Sequence, residues 1–171
     1  WQMLHRVAKV QAGQSILVHG AGGAVGTMML QLAREAGITA HGTDIAAKHD
    51  LIRKFGAKPI AIDADAEMLE SAVGGGGGVA AVFDPLGGAS LSRSLHVLKP
   101  GGILVAFGFT NEVLGRGGSI PMDIVKLRLW DWLPNGHATA FYSIGAMRRR
   151  HPEWFRQDLE ALLGLLAAGN I

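Results

Sequence analysis

The sequence predicts an α/β protein built on a doubly wound, parallel, six-stranded sheet, with strand order 3-2-1-4-5-6 and helices on both faces. Short aliphatic segments alternate with stretches of helical periodicity along the whole chain. The segment Val79–Phe83 is apolar without interruption, which is typical of a strand covered on both faces. The segment Ser15–His19 runs through a glycine-rich turn directly into the helical stretch Ala24–Ala36. Because β-α-β crossovers are right-handed, this alternation allows little besides a parallel sheet.

Each element follows from its periodicity and from the glycines and prolines at its ends. Strands are predicted at Ser15–His19, Thr39–Thr43, Pro59–Ile62, Val79–Phe83, Ile103–Phe107 and Ala138–Ser143. Helices are predicted at Gln2–Val10, Ala24–Ala36, Ala46–Phe55, Asp65–Val73, Ala89–Leu98, Met122–Leu133 and Pro152–Ala168. Gly37 and Gly56 end two of these helices, and Pro152 begins the last one. Loops are expected at Gly74–Gly78, Lys99–Gly102 and Gly108–Ser119.

Helical spacing also predicts which side chains face the core. The helix that follows the first strand is expected to bury one continuous apolar face. That face comprises Val25, Met28, Met29, Leu32, Ala33 and Ala36. Inward-facing side chains of other helices are predicted to be Leu51, Ile52, Phe55, Leu91, Leu95 and Leu98. In the last helix, Leu159, Leu162, Leu163 and Leu166 stand at helical spacing.

The composition is that of a soluble enzyme domain. The chain has 171 residues, 49% of them hydrophobic, a net charge of +2 and no cysteine. It contains no apolar run of membrane-spanning length and no secretory signal, and it has neither disulfides nor thiolate ligands. A cytoplasmic protein without a membrane or nucleic-acid partner is expected. The basic cluster Arg148–Arg150 lacks interleaved aromatic residues and is interpreted as a solvated turn.

The glycine turn between the first strand and its helix predicts a phosphate site. Its pattern is Gly20-x-x-Gly23-x-x-Gly26, and Val25 stands where the strict G-x-G-x-x-G fingerprint has its last glycine. A strand, a glycine turn and a helix together direct the free N–H groups of the helix N-terminus towards a phosphate. Glycines let the backbone approach a pyrophosphate and let the helix pack closely on the strand.

The loop after the second strand bears on the choice of cofactor. Asp44 stands at the end of that strand, where a carboxylate accepts hydrogen bonds from adenosine ribose hydroxyls and repels a 2′-phosphate. Lys48 follows in the first turn of the next helix, and it can reach a ribose hydroxyl or that phosphate. Asp44 can instead be the N-cap of this helix, and the two roles are compatible.

No catalytic residue and no metal ligand is assigned. His19, beside the glycine turn, is interpreted as a hydrogen-bonded structural residue. Ser90, Ser92 and Ser94 are expected on one helix without a paired His and Asp, so nucleophilic catalysis has no support. Asp63 and Asp65 are weak candidates for a metal pair. In a doubly wound fold the ligand binds at the switch point between strands one and four, near the loops after residues 18, 43, 83 and 107.

Four ordered motifs carry a resemblance to a known family. They are Val-His-Gly-Ala-Gly-Gly-Ala-Val-Gly (18–26), Lys48-His49-Asp50 with Phe55-Gly56-Ala57, Phe83-Asp84-Pro85-Leu86-Gly87-Gly88, and Leu98-Lys99-Pro100-Gly101-Gly102 with Phe107-Gly108. The chain resembles the coenzyme-binding Rossmann domain of medium-chain dehydrogenases/reductases. Among these, it is most similar to the zinc-independent quinone oxidoreductases of the zeta-crystallin type.

The resemblance implies an excised domain of an NAD(P)-dependent oxidoreductase. The N-terminal GroES-like catalytic domain, which supplies half of the small-molecule substrate site, and the C-terminal return segment are then absent. It implies hydride transfer between a nicotinamide cofactor and a quinone, enone or similar substrate, and a homodimer formed through strand 138–143. The cofactor-binding residues that it implies, together with those inferred above, are Gly20, Gly22, Gly23, Ala24, Val25, Gly26, Asp44, Lys48, Asp84, Phe107, Gly108 and Phe109.

Two points stay open at the level of sequence. Quinone-reductase relatives commonly carry small or hydroxyl residues where Asp44-Ile45 stand, so Asp44 slightly favours NAD over NADP. The chain can also be the coenzyme domain of a zinc-dependent alcohol dehydrogenase, whose zinc ligands would lie elsewhere. A non-catalytic nucleotide-binding module, or a reductase domain of a larger synthase, is the remaining alternative.

Overall fold

The predicted sheet is confirmed in the computed structural model, which describes residues 1–74 and 77–171. All strand pairs are parallel, and the order is β3-β2-β1-β4-β5-β6. Strands β1 and β4 are neighbours at the centre, with Val18 opposite Phe83. The strands are β1 Ser15–His19, β2 Thr39–Asp44, β3 Lys58–Ala61, β4 Val79–Asp84, β5 Leu98–Ala106 and β6 Ala138–Phe141.

Helices connect successive strands, and two of them were not expected. They are α1 Ala24–Glu35, α2 His49–Lys54, α3 Ala66–Ala72, α4 Ala89–His96, α5 Thr110–Val113, α6 Ile120–Trp132, α7 Ile144–Arg150 and α8 Pro152–Ala167. The short helix α5 lies within the predicted loop 108–119. Helix α7 contains Arg148–Arg150, so the interpretation of these arginines as a turn is wrong. Ser143 begins α7 as its N-cap, accepting a hydrogen bond from the Ala146 amide.

Two further boundaries differ from the predictions. The expected turn at Lys99–Gly102 is part of β5, which starts at Leu98 and shifts its register against β4 between Val79 and Ala81. Such an irregularity lets the strand bend without ending. The predicted loop Gly74–Gly78 includes residues 75 and 76, which lie outside the described part of the chain.

The N-terminal segment forms a π-helical turn, Gln2–Val7, rather than the predicted helix over 2–10. It is held against α8 by the buried carboxylate of Asp158. One oxygen of that carboxylate accepts from the Gln2 side chain at 2.7 Å, and the other accepts from Arg6 at 2.7 Å. The first and last segments of the chain therefore pack on the same face of the sheet.

Two apolar cores, one on each face of the sheet, hold the helices. One core includes Ile16 and Val18, and the other includes Leu17. In α1 the buried residues are Gly26, Met29, Leu30, Leu32 and Ala33. The predicted face is therefore wrong for Val25 and Met28, which are 49% and 41% exposed, while the completely buried Leu30 was not expected.

The face of α1 is rotated because Gly26 is pressed against the glycine turn, a contact that apolar spacing does not encode. In α2, Ile52 is buried as predicted, whereas Leu51 is exposed. Among the described residues, no helix is both long and apolar enough to cross a membrane.

Candidate nucleotide-binding site

The glycine turn folds tightly over the carboxyl end of β1. Gly20 has φ +64°, a conformation that favours glycine. Its carbonyl accepts the Gly23 amide at 3.0 Å, and the Ala21 amide donates to the Thr43 carbonyl of β2 at 3.0 Å. A Cβ on Gly26 would lie 2.5 Å from the Gly20 carbonyl oxygen. Gly26 therefore serves the close packing of α1 on β1, the role of the third glycine in dinucleotide-binding folds.

The N-terminus of α1 is open above this turn. Its first-turn amides have no acceptor within the helix, and among the described residues no side chain caps it. The first turn contains no acidic residue. Ala24 and Val25, the first two helical residues, are both exposed. Their amides and the positive end of the helix dipole are thus available to an anion.

Asp44 holds the turn from the side of β2. Although it is only 5% exposed, its carboxylate accepts the Gly22 amide at 2.8 Å and the Ile45 amide at 2.8 Å. The Lys48 ammonium lies 3.9 Å from the same carboxylate. The Lys48 stem covers Gly22, since a Cβ on Gly22 would lie 2.6 Å from Lys48 Cδ.

The alternative role of Asp44 as an N-cap is wrong. A 3₁₀ turn, Ala46–Lys48, precedes α2, its N-cap is Ile45, and that cap makes no side-chain hydrogen bond. The carboxylate shapes the glycine turn instead. Each carboxylate oxygen keeps a lone pair that can accept from a ribose hydroxyl. The geometry of Asp44 is therefore compatible with its ribose-binding role, which stays a prediction.

The loop Pro85–Gly88 forms the opposite wall, at the carboxyl end of β4. Asp84 accepts the amides of Leu86 and Gly87 at 2.7 and 3.2 Å. The Gly88 amide donates to the buried carboxylate of Asp123, on α6, at 2.6 Å. A Cβ on Gly20 would lie 3.6 Å from Pro85 Cγ, so this loop and the glycine turn are in contact distance of each other.

Phe107, Gly108 and Phe109 continue this wall after β5. The Phe107 amide donates to the Asp84 carbonyl at 3.0 Å. A Cβ on Gly108 would lie 2.9 Å from the Pro85 carbonyl oxygen, so a larger residue would displace the loop. Phe109 is only 9% exposed, and its ring stacks on Phe141 with the centroids 5.2 Å apart. The structure thus brings Asp84 and residues 107–109 together beside the glycine turn.

His19 is a buried, hydrogen-bonded residue, as the sequence predicts. Its Nδ1 lies 2.7 Å from Thr43 Oγ1, and its Nε2 lies 3.0 Å from Ser94 Oγ. Burial lowers the pKa of His19; nearby Asp84 acts to raise this pKa, and Arg93 acts to lower it. His19 therefore remains neutral near pH 7.

The expectation that Ser94 has no paired His and Asp is wrong. Ser94 Oγ contacts His19 and also donates to Asp84 Oδ2 at 2.7 Å. This is not a nucleophile arrangement, because Ser94 is completely buried and its hydroxyl proton is held by the carboxylate. The signal that the sequence offered was a hydroxyl on the inner face of a helix next to a strand that ends in Asp.

The sequence did not predict the hydrogen-bonding roles of two other carboxylates, Asp65 and Asp123. Asp65 is the N-cap of α3, since its side chain accepts the Met68 amide at 2.8 Å. Across residues 1–74 and 77–171, no group of three or more His, Cys, Asp or Glu residues is placed to hold a metal ion. Asp123 was missed. Its only sequence signal was a carboxylate in the first turn of a helix, among apolar residues.

A parallel sheet of this order, with an open helix N-terminus over a glycine turn at its switch point, defines a Rossmann-type nucleotide-binding domain. The sequence profile of the zinc-binding dehydrogenases matches residues 24–128, and the chain belongs to this family. Within it, the chain corresponds to the coenzyme-binding domain of the medium-chain dehydrogenases/reductases, as the motifs predict.

Named relatives share this domain. The chain is 38% identical to the synaptic vesicle membrane protein VAT-1 of Tetronarce californica, over 99% of this chain and 46% of that protein. It is 32% identical to a 2-haloacrylate reductase of Burkholderia sp, over 78% of this chain and 43% of that protein. The chain thus spans less than half of the length of these curated relatives.

Half of a solved structure matches nearly the whole of this chain. That structure is an Escherichia coli quinone oxidoreductase complexed with NADPH. The TM-score is 0.81 at 25% sequence identity, and the match covers 99% of this chain and 50% of that chain. The expected similarity to quinone oxidoreductases is confirmed.

Proposed function

We propose that this chain binds a nicotinamide dinucleotide and serves an oxidoreductase that transfers hydride between this cofactor and a quinone, enone or similar carbonyl or alkene substrate. The observation that carries the proposal is the open N-terminus of α1 above the glycine turn, at the switch point between β1 and β4. Support comes from a structural relative complexed with NADPH and from a relative named as a 2-haloacrylate reductase.

The residues present fit a dinucleotide. The exposed first turn of α1 suits the pyrophosphate, and Gly23 leaves the approach to it free of a side chain. Asp44 and Lys48 lie on the β2 side, which suits the adenosine ribose of a dinucleotide bound as in other folds of this type. Pro85–Gly88 and Phe107–Phe109 border the other half of the cleft, where the nicotinamide nucleotide belongs. When bound, the cofactor supplies the hydride chemistry, and this chain orients it and shields one side from water.

We propose that the substrate site is completed by a separate catalytic domain of the same protein. The matches cover less than half of these relatives, which supports this division. A protein that contains both domains should oxidise NAD(P)H in the presence of a quinone or an activated alkene such as an acrylate. Absorbance at the reduced-nicotinamide band measures this reaction. Oxidation of simple alcohols dependent on added zinc would favour the alcohol dehydrogenase alternative instead.

The pyrophosphate position can be tested at Ala24. We expect Ala24→Glu to abolish dinucleotide binding, weakening it by about a hundredfold or more, because like charges repel at short range. An acidic residue in the first turn of a helix is itself stabilising, so the fold should be retained. Ala24→Gln is the matched control with the same size and no charge. Unchanged affinity of the Glu variant in calorimetric titration would remove Ala24 from the site.

We further propose that Asp44 makes the chain prefer NAD(H) over NADP(H). Asp44→Ser should shift the ratio of the two affinities towards NADPH by about 1–3 kcal/mol. The ratio of the NADPH and NADH affinities is the informative quantity. Loss of the hydrogen bond between the Gly22 amide and Asp44 should weaken the binding of both cofactors to the same extent. Calorimetry in which the unmodified chain binds NADPH at least about tenfold more tightly than NADH would contradict this preference.

We also propose that two copies of the chain pair through the edge strand β6. Helix α6, which precedes this strand, exposes Trp132 to 82%, whereas Trp130 packs on the core. The Tyr142 amide donates to Ala106 of β5. Since amide directions alternate along a strand, Thr139 and Phe141 direct theirs outward. Asp131 already accepts the Thr139 amide at 3.1 Å, which leaves Phe141 as the outward donor for a partner strand.

A further inference from the structure

Four buried polar side chains form one continuous hydrogen-bonded chain beneath the proposed cofactor cleft. It runs from Thr43 on β2 through His19 on β1 and Ser94 on α4 to Asp84 on β4, with distances of 2.7, 3.0 and 2.7 Å. None of the four is more than 2% exposed. Neither the fold nor hydride transfer requires these hydrogen-bonded side chains, because apolar residues are accepted at such positions in a sheet that is covered on both faces.

Donor and acceptor roles along this chain are fixed by chemistry. Asp84 as a carboxylate can only accept, so the single Ser94 proton is donated to it. Ser94 Oγ must then accept from His19 Nε2–H. The neutral imidazole has a bare Nδ1, which accepts from the Thr43 hydroxyl. One tautomer of His19, with its proton on Nε2, therefore satisfies every group.

Both ends of the chain reach the walls of the cleft. At one end, the Thr43 carbonyl accepts the Ala21 amide of the glycine turn at 3.0 Å. At the other end, Asp84 uses its second oxygen to accept the amides of Leu86 and Gly87. The chain thus joins the turn on the adenosine side to the loop Pro85–Gly88 on the nicotinamide side.

We propose that His19 and Ser94 are positioning residues, which fix the Asp84 carboxylate and through it hold the loop Pro85–Gly88 at the right distance from the glycine turn to receive the nicotinamide half of the cofactor. This inference rests on the proposed function. Gly87 and Gly88 have φ +73° and +61°, and because glycine adopts other conformations as readily, their backbone alone does not fix this loop. The amide bonds to Asp84 and Asp123 hold it.

Helix α4 offers a matched pair of serines for the test. Ser90 is as completely buried as Ser94 and lies one turn earlier, but its hydroxyl has no hydrogen-bond partner within the described structure. Each serine is replaced by alanine in the 171-residue chain. Calorimetry then measures the affinity for NADH and NADPH, and for the adenosine-side fragments ADP and adenosine 2′,5′-bisphosphate.

Ser94→Ala should weaken the better dinucleotide about five- to tenfold, with the fragments unchanged within about twofold. Ser90→Ala should leave all affinities unchanged. Equal weakening of dinucleotide and fragment by Ser94→Ala would show a merely structural role and overturn the inference, as would no weakening at all. If the unmodified chain binds the fragments and dinucleotides equally poorly, the proposed function itself fails, and the inference falls with it.

A second measurement does not depend on any variant. Nitrogen-15 NMR of the histidine rings in the unmodified, ligand-free chain should show His19 as the Nε2–H tautomer at pH 7. A proton on Nδ1 would reverse the donor order and break the link to Ser94, which would also overturn the inference. His19→Gln, whose amide can still donate to Ser94, should retain more dinucleotide affinity than His19→Phe.

Discussion

The half of the chain up to Asp84 and the half that follows it leave very different amounts of apolar side chain in contact with water. In the described first half the exposed large hydrophobic residues are Val25, Met28, Ile45, Leu51 and Met68. In the second half they are Val113, Leu114, Met122, Val125, Leu129, Trp132, Leu133, Phe141, Ile144, Phe155, Leu159, Leu163 and Leu166. The first half contributes four strands to the sheet, β1 to β4, and the second half contributes β5 and β6.

The first half leaves few large apolar side chains exposed, and its polar groups at the cofactor edge are hydrogen-bonded, in part to Ser94 of the second half. The second half leaves many more large apolar side chains exposed to water. Helix α6 buries Leu127 on one side but leaves Leu129 and Trp132 exposed on others. Extended apolar surface of this kind marks contacts with other protein. The difference therefore favours a second half whose exposed apolar side chains are covered by a partner surface.

A matched pair of leucines tests this contrast most strongly. Leu30 on α1 is completely buried, and Leu129 on α6 is 50% exposed. We expect Leu30→Ala to lower the free energy of unfolding by about 3 kcal/mol, because it leaves a cavity in the core. Leu129→Ala should lower it by no more than about 0.5 kcal/mol. Urea denaturation with a common m value measures both. Similar losses of unfolding free energy in the two variants would mean that Leu129 on α6 is packed as well as Leu30 on α1, which would contradict the contrast.

The edge of β6 tests the partner surface directly. Phe141→Pro removes the outward amide, so we expect the two-copy assembly to dissociate with at least about tenfold weaker association. Phe141→Ala is the control that keeps this amide. Proline at Ala140, whose amide is directed inward, would instead break the internal ladder to β5. Sedimentation measures the assembly. A monomeric unmodified chain at high concentration would contradict edge pairing.

The sequence predicted best those features that depend on neighbouring residues. The bounds of β1 were predicted without error, because a β-branched run ends directly in a glycine turn. The strand order was also predicted, because crossover handedness restricts it. Helix α7 was missed because Pro152 and the arginines before it resemble a helix start, although Ser143 is an ordinary N-cap signal.

The remaining errors concern partners that are distant in sequence. Gly26 determines the rotation of α1 through its contact with the glycine turn, so Val25 and Met28 face outward. Ser94 meets His19 only after α4 has packed across the sheet. Asp123 reaches the Gly88 amide from α6 in the same way. Apolar spacing and local motifs contain no information on such contacts, and this is why the hydrogen-bonded network beneath the glycine turn could not be predicted from the sequence.

The pH dependence of the folding stability is a smaller difference between the two halves. The histidines whose pKa is lowered by burial are His5, His19 and His41, all in the first half. Nearby charges modify these pKa values. For His19, Asp84 acts to raise the pKa and Arg93 acts to lower it, whereas Lys58 acts to lower the pKa of His41. Below the ordinary histidine pKa of about 6.5, the unfolded chain binds protons that the folded chain excludes.

Stability should therefore decrease as the pH falls from about 6.5 towards the lowered folded values, by up to about 1.4 kcal/mol per pH unit for each of the buried His19 and His41 and by less for the partly exposed His5. His19→Gln removes one titrating group and should reduce this slope by up to that amount. Between pH 7.5 and 8.5 all these histidines are neutral in both states, so the variant and the unmodified chain should differ there by a constant. Urea denaturation across pH 5–8.5 measures the two slopes. An unchanged slope below pH 6.5 would mean that His19 is protonated as readily in the fold as outside it.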